Sequence, residues 1–415
     1  MKPTCIKPTR TKSLRVLQII PAISLVYGGP SQMVRGLSRA LASQDCIEQV
    51  TILTTDANGD IDEPPLAVPL GQTVIQDGYE IIHFRCSPFR RYKFSLALLL
   101  WLWRNADNYD IAHIHALFSP ITTASATVCR WRQLPYILRP LGTLDPADLQ
   151  KKKQIKQLYA ALLEKNNLAG AAAIHFTSQQ EAEISARFGT HAPDMVVPLG
   201  VTPPALPDRA AARSALCQQL NIPEKRPIIL FMSRIDPKKG FDLLLPALEN
   251  LHRQNCLFHL LLCGANPQDR AYETSIKEQI AASSWADCVT ISGFVSGELK
   301  AQILSAADIF VLPSYYENFG IAVAEAMAAQ IPVVVSDQVH IWPAIQESEA
   351  GWVVPTEVEA LTNALKVAVS SAKMRVQRGE NARRCAIENY SWEAIAQRIA
   401  DSYQNILEST NTQSK

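Results

Sequence analysis

No two cysteines in this 415-residue chain are spaced as C-x-x-C. The nine cysteines, at 5, 46, 86, 129, 217, 256, 263, 288 and 385, are scattered and odd in number, and most lie in apolar surroundings such as "HLLLCGA". That usage speaks against a zinc site and predicts reduced core thiols in a cytosolic protein. A long hydrophobic run is missing as well. The most apolar stretch, "SLALLLWLW" at 95–103, is roughly half of the ~20 residues a membrane-spanning helix needs. A charge excess is also lacking, since the formal net charge is +1. With no basic module interleaved with aromatics, nothing calls for nucleic acid as a partner. The basic start "MKPTCIKPTRTKSLRVLQIIPAISLV" has Pro21 inside its apolar segment and no cleavage signature, so we expect a short tail and then a strand, with no signal peptide.

What the chain does have is alternation. Short apolar runs ("RVLQII", "QVTILTT", "EIIHF", "DIAHIHA", "PYILRP", "AAIHFT", "DMVVPL") are separated by amphipathic helical stretches, and the pattern restarts with "RPIILFM", "FHLLLC", "VTISGFV", "DIFVLPS", "IPVVVS" and "AGWVVP". This is the signature of βαβ units and parallel sheets. A length of 415 residues favours two domains. The Pro-rich connection Pro203–Pro207 puts the first domain at 14–205 and the second at 206–388, followed by a terminal helix at 389–408. The end, "STNTQSK", reads as frayed. Two doubly wound domains would face each other across a cleft at the carboxyl ends of their strands, where such sheets bind ligands.

Chemistry is therefore expected in strand-to-helix loops. After "RPIILFM" comes "SRIDPKKG", in which Arg234 and Lys239 precede a helix start and form an anion site, while Lys238 reads as a solvated loop lysine. After "DIFVLPS" comes "YYENFGIAVAEAMAAQ". Gly320 permits close backbone approach there, and Glu317 lies just before the helix. Glu325 is the only charge between Gly320 and Gln330, an acid on an otherwise apolar stripe that Arg234 and Lys239 would face across the loops. It needs a partner if buried. A ribose would suit it, the competing reading being an acid that stabilises the front half of its helix.

In the first half, Gly28 and Gly29 form a turn between the first strand and helix. His113 and His115 share one side of a strand, with His115 at its carboxyl end suited to a sugar hydroxyl and His113 read as structural. No third ligand stands at metal spacing. Arg139, the lysines at 151–153 and 156, "FRRYKF" at 89–94, Trp101 and Trp103 read first as solvated surface, and second as contacts to an anionic membrane or a lipid diphosphate.

Together these segments resemble the retaining glycosyltransferases of family four, which have the glycosyltransferase-B fold of two Rossmann-like domains. The resemblance runs from the GG turn to "YSWEAIAQRI". It is most specific in "PSYYENFGIAVAEAMAAQIPVVVS", which carries the family's E-x7-E, and is supported by "SRIDPKKG", "ISGFV", "DIAHIH" and "VVPLGV". Leu199 stands where the family often has Asn. The resemblance implies catalysis by Glu317, His115, Arg234 and Lys239. Arg234 and Lys239 would hold the donor diphosphate and Glu325 the ribose. Glu317, with the backbone of Phe319, Gly320 and Ile321, would hold the donor sugar, and Gly293, Phe294 and Val295 the base. Gly28 and Gly29 would lie by the phosphates, with Tyr27 and Arg139 on the acceptor side. It implies a nucleotide-sugar donor, a glycan or lipid-linked acceptor, no metal or other cofactor, and a cytoplasmic protein with peripheral contact to the membrane's inner face. A nucleotide-sugar epimerase and a binding-only protein are the alternatives.

Overall fold

A computed structural model describes residues 13–24, 26, 29–59, 64–87, 93–144, 159, 163–204 and 209–413, with side chains to 409. The chain forms two compact units, Met1–Gly200 with Ile395–Lys415, and Val201–Ala394. The first division has a local cause. Val201 pairs with Ser391 as an isolated bridge and donates its N–H to Tyr390 O at 2.7 Å, which ties it to the second unit. The second division falls inside the terminal helix Trp392–Gln413, which runs on through most of the "STNTQSK" segment read as frayed. The N-terminal tail, Tyr27, Gly28, the 151–153 and 156 lysines, most of "FRRYKF" and residues 205–208 at the end of the Pro-rich connection lie outside the described residues.

In the first unit, strands β1 (Leu14–Ala22), β2 (Ile47–Thr55), β3 (Thr73–Gln76), β4 (Tyr79–Phe84), β5 (Ile111–His115), β6 (Tyr136–Arg139), β7 (Ala173–Phe176) and β8 (Asp194–Val196) form one sheet in the order β3-β4-β2-β1-β5-β6-β7-β8. Every pairing is parallel except β3 with β4. That edge strand departs from the all-parallel expectation. Its signal was in the sequence, because Asp77 and Gly78 both have positive φ (48° and 86°), the geometry of a two-residue Asp-Gly hairpin turn. The apolar stretch at 95–103 becomes the helix Leu96–Asn105, whose N-cap Ser95 accepts from Leu98 N–H. Among the described residues no helix is long and apolar enough to cross a membrane.

The second unit holds β9 (Ile228–Met232), β10 (His259–Cys263), β11 (Val289–Gly293), β12 (Ile309–Leu312), β13 (Val333–Ser336) and β14 (Gly351–Val354) in the order β11-β10-β9-β12-β13-β14, all parallel. Every residue of β9, β10, β12 and β13 is buried, as expected of a parallel sheet covered on both faces. Each fully buried Leu, Ile, Val or Phe there contributes about 1.5–3 kcal/mol. Both sheets reverse direction of strand order beside their first strand, at β1/β5 and at β9/β12. Such switch points open a crevice at the carboxyl ends of the strands.

Candidate active site

The second unit's switch point brings together the two loops singled out in the sequence. After β9 a short 3-10 turn, Pro237–Lys239, is capped by the Asp236 carboxylate, and Gly240 opens the helix Phe241–Arg253. After β12, Gly320 opens the helix Ile321–Ala328. Both glycines are left-handed, with φ 73° and 77°. At Gly240 a Cβ would stand 2.1 Å from the Pro313 carbonyl oxygen, so only glycine lets the two loops touch. They are also joined by Tyr315 N–H donating to Lys238 O at 2.8 Å. Each helix start leaves its first N–H groups without intrahelical partners.

Charges are paired across these loops. Lys239 Nζ donates to Glu317 Oε2, with both side chains partly exposed. The Glu317 main chain is clamped to the loop after β13, its N–H donating to Gln338 O at 3.1 Å and its carbonyl accepting from His340 N–H at 3.0 Å. Arg234 is exposed and reaches Gln268 Oε1 at 3.3 Å. Glu325 has a partner that the sequence pattern did not reveal. Lys300 Nζ, on the helix Gly297–Ala306, donates to Glu325 Oε1 at 2.6 Å. The expectation that Arg234 and Lys239 face Glu325 is thereby corrected: Lys239 serves Glu317, and a lysine from the helix after β11 serves Glu325.

The remaining donor-side residues divide by exposure. Gly293 ends β11 with φ 72° and open space around it, Phe294 is 80% exposed, and Val295 is buried. Phe319 is buried edge-on against Tyr390, so only its backbone is available, while Ile321 is half-buried.

In the first unit, Gly29 is the first residue of the helix Gly29–Ala42 and is exposed. His115 lies at the end of β5 as read, but an accessible imidazole there is not what the structure shows: His115 is fully buried and stacked on His113 at 4.6 Å. Its Nε2 meets Gln18 Oε1 at 2.7 Å, and its Nδ1 is buried without a hydrogen-bond partner. His113 contacts the Tyr403 hydroxyl at 2.8 Å and His175 Nδ1 at 3.1 Å. Burial, reinforced by the Arg139 charge, holds all three histidines well below the usual histidine range, hence neutral. Arg139, opposite His115 in the β5/β6 register, is 2% exposed. Its Nη1 points at Met33 Sδ at 2.9 Å, while Nε and Nη2 have no partner, and burial pulls its pKa down to about 10. Gln18, His175 and Tyr403 were not singled out from the sequence. The signal was a lone polar residue inside an apolar strand, in "RVLQII" and "AAIHF", which is costly to bury unless partnered. Among the described residues no cluster of His, Cys, Asp or Glu is arranged to hold a metal ion.

The architecture thus defines a class, a pair of doubly wound α/β units with polar side chains gathered at each switch point. Comparison with known proteins gives the family. Residues 28–200 match the model described as "Glycosyl transferase 4-like domain" and residues 213–385 that of "Glycosyl transferases group 1"; the chain belongs to this glycosyltransferase family. It is 28% identical to an alpha-D-kanosaminyltransferase of Streptomyces kanamyceticus over 48% of this chain and 50% of that protein, so the match spans about half of that relative's length. It is 29% identical to a D-inositol 3-phosphate glycosyltransferase of Xylanimonas cellulosilytica over 74% of this chain and 75% of that one. Among solved structures, a sucrose-phosphate synthase from Thermosynechococcus elongatus superimposes with a TM-score of 0.70 at 25% identity, covering 95% of this chain and 100% of that one. The Anabaena protein HepE, solved with UDP and glucose, gives 0.69 at 18% identity over 94% and 99%, a likeness of fold.

Proposed function

We propose that the protein moves a sugar from a nucleoside-diphosphate-sugar to a hydroxyl of a glycan or lipid-linked acceptor in polysaccharide assembly, with retention of configuration and without a metal. The observation that supports this reading is the pairing of Lys239 with Glu317 between two glycine-opened helix starts at the β9/β12 switch point, with the exposed Arg234 in the same loop as Lys239. A diphosphate placed there meets a helix dipole, free N–H groups and two cations. Lys239 then exchanges the Glu317 carboxylate for phosphate oxygens, which frees Glu317 to accept hydrogen bonds from sugar hydroxyls. As the sugar–phosphate bond breaks, Arg234 and Lys239 stabilise the charge gathering on the leaving diphosphate, which a metal does in other enzymes. Glu325, oriented by Lys300, accepts from the ribose hydroxyls, and the backbone at Gly293–Val295 serves the base. A donor phosphate oxygen would take the acceptor's proton, so no enzyme nucleophile is required.

In the first unit we assign His115 Nδ1 to a substrate hydroxyl. Arg139 goes to an anionic group of the acceptor, because a buried guanidinium with two unpaired N–H edges is costly without an anion. A panel of nucleotide-sugars tested by thermal shift, followed by transfer assays in excess chelator and NMR of the product anomer, tests the whole reading. A donor that stabilises the fold, and chelator-insensitive transfer with retention, are the expected results. An epimerised nucleotide-sugar formed without acceptor would sink it.

A further inference from the structure

A hydrogen-bonded chain crosses the first unit from a main-chain carbonyl to His115, and the supply of protons on each group sets the direction of every link. Val197 O can only accept, so His175 Nε2, at 2.8 Å, carries a hydrogen. His175 is neutral because it is buried beside Arg139, and a neutral imidazole has one N–H. Its Nδ1 therefore accepts, and His113 Nε2, 3.1 Å away, donates. That spends the hydrogen of His113, whose Nδ1 must accept from the Tyr403 hydroxyl at 2.8 Å. Tyr403 has no second hydrogen, so Gln18 must turn its amide NH2 toward the phenol oxygen at 3.1 Å. The same orientation aims Gln18 Oε1 at His115 Nε2, 2.7 Å away, which can only donate. Nδ1 of His115 is then a bare lone pair, and it is the nitrogen left buried without a partner.

We propose that Tyr403 is a positioning residue which, through Gln18, fixes His115 as the Nε2–H tautomer and so makes Nδ1 an acceptor that selects a substrate hydroxyl. The inference rests on the role assigned to His115 above. Tyr403 suits this role because it lies in the part of the terminal helix that belongs to the first unit, is fully buried, and has one proton to direct. An Nδ1–H tautomer would present a donor instead, suited to an ether or phosphate oxygen rather than to a hydroxyl proton. Without Tyr403 no other hydrogen bond among the described residues prevents the Gln18 amide from turning over and reversing His115.

The test is nitrogen-15 NMR of the full chain labelled at histidine, which separates protonated from bare ring nitrogens, with signals assigned by removing one histidine at a time. In the parent protein without substrate, His113, His115 and His175 should all be Nε2–H across pH 6–8. In Tyr403→Phe, His175 and His113 should keep that tautomer, because the Val197 carbonyl still directs them, whereas His115 should shift to a mixture with Nδ1–H. Gln18→Met should release His115 in the same way from the other side of the link. A parent His115 protonated at Nδ1 overturns the proposal, even if neither variant folds. So does a folded Tyr403→Phe protein whose His115 remains wholly Nε2–H. Because no substrate is present, this result is independent of whether the transferase reading holds.

Discussion

The two units solve the same architectural problem with opposite electrostatics. At β9/β12 the polar groups are charged, partly exposed and paired, Lys239 with Glu317 and Lys300 with Glu325. At β1/β5 they are fully buried: His175, His113, Tyr403, Gln18 and His115 are neutral and joined in a single directed chain, and the charged Arg139 lies outside it. Partly exposed ion pairs contribute modestly to stability, which suits the exchange for a diphosphate proposed above. A buried chain is costly to leave unsatisfied, which suits holding one group in one protonation state. On the function proposed above, one switch point rearranges around a charged ligand and the other resists change.

Acid should break this contrast most visibly. In the unfolded chain each histidine takes up a proton near pH 6.5, while His113, His115 and His175 resist protonation in the fold. Below about pH 6.5 the unfolded state therefore binds more protons. Stability is unaffected above that pH and lost as pH falls through it, by about 1.4 kcal/mol per histidine at pH 5.5, or about 4 kcal/mol for the three. His83, lowered by burial, acts in the same direction. In the second unit the corresponding group is His259, lowered to about 4. Urea midpoints measured from pH 8 to 5 should fall steeply for the first unit's signals, and a flat profile would mean that the histidines are not held neutral.

Next in size is Lys239→Ala. On the proposed role of Lys239 at the leaving diphosphate, its loss should lower turnover by about 100-fold or more, about 3 kcal/mol, with little change in folding stability. Turnover at the parental rate would remove the leaving-group role. Gly240→Ala adds a Cβ 2.1 Å from the Pro313 oxygen at a left-handed φ, so it should destabilise the second unit by at least ~2 kcal/mol in chemical denaturation. An unchanged midpoint would show that the two loops do not need contact. Smallest is Lys300→Ala: removing a partly exposed partner should cost under about 1 kcal/mol of stability, yet weaken binding of the donor identified by thermal shift by letting Glu325 swing free. Donor affinity equal to the parent's would separate Lys300 from the site.

Much of this molecule was legible in local pattern. The strands stood out because a parallel sheet covered on both faces demands continuous apolar runs, as in "PIILFM" and "PVVVS". The loops bearing Arg234, Lys239, Glu317 and Gly320 stood out because cations and glycines before a helix are a short-range signal. The antiparallel edge strand breaks the apolar-run pattern, and its local mark is the Asp77-Gly78 turn.

Neighbouring residues alone thus set the α/β alternation and the glycine-opened loops that follow β9 and β12. Tertiary structure decided the partnerships. Lys300 and Glu325 are 25 residues apart and Tyr403 and His113 are 290 apart, so no periodicity links them. Whether Glu325 is a solitary acid, or His115 an exposed imidazole, depends on what the rest of the chain brings to it. Coulomb attraction and hydrogen bonding act over a few ångströms of space, whereas sequence pattern reports only distance along the chain.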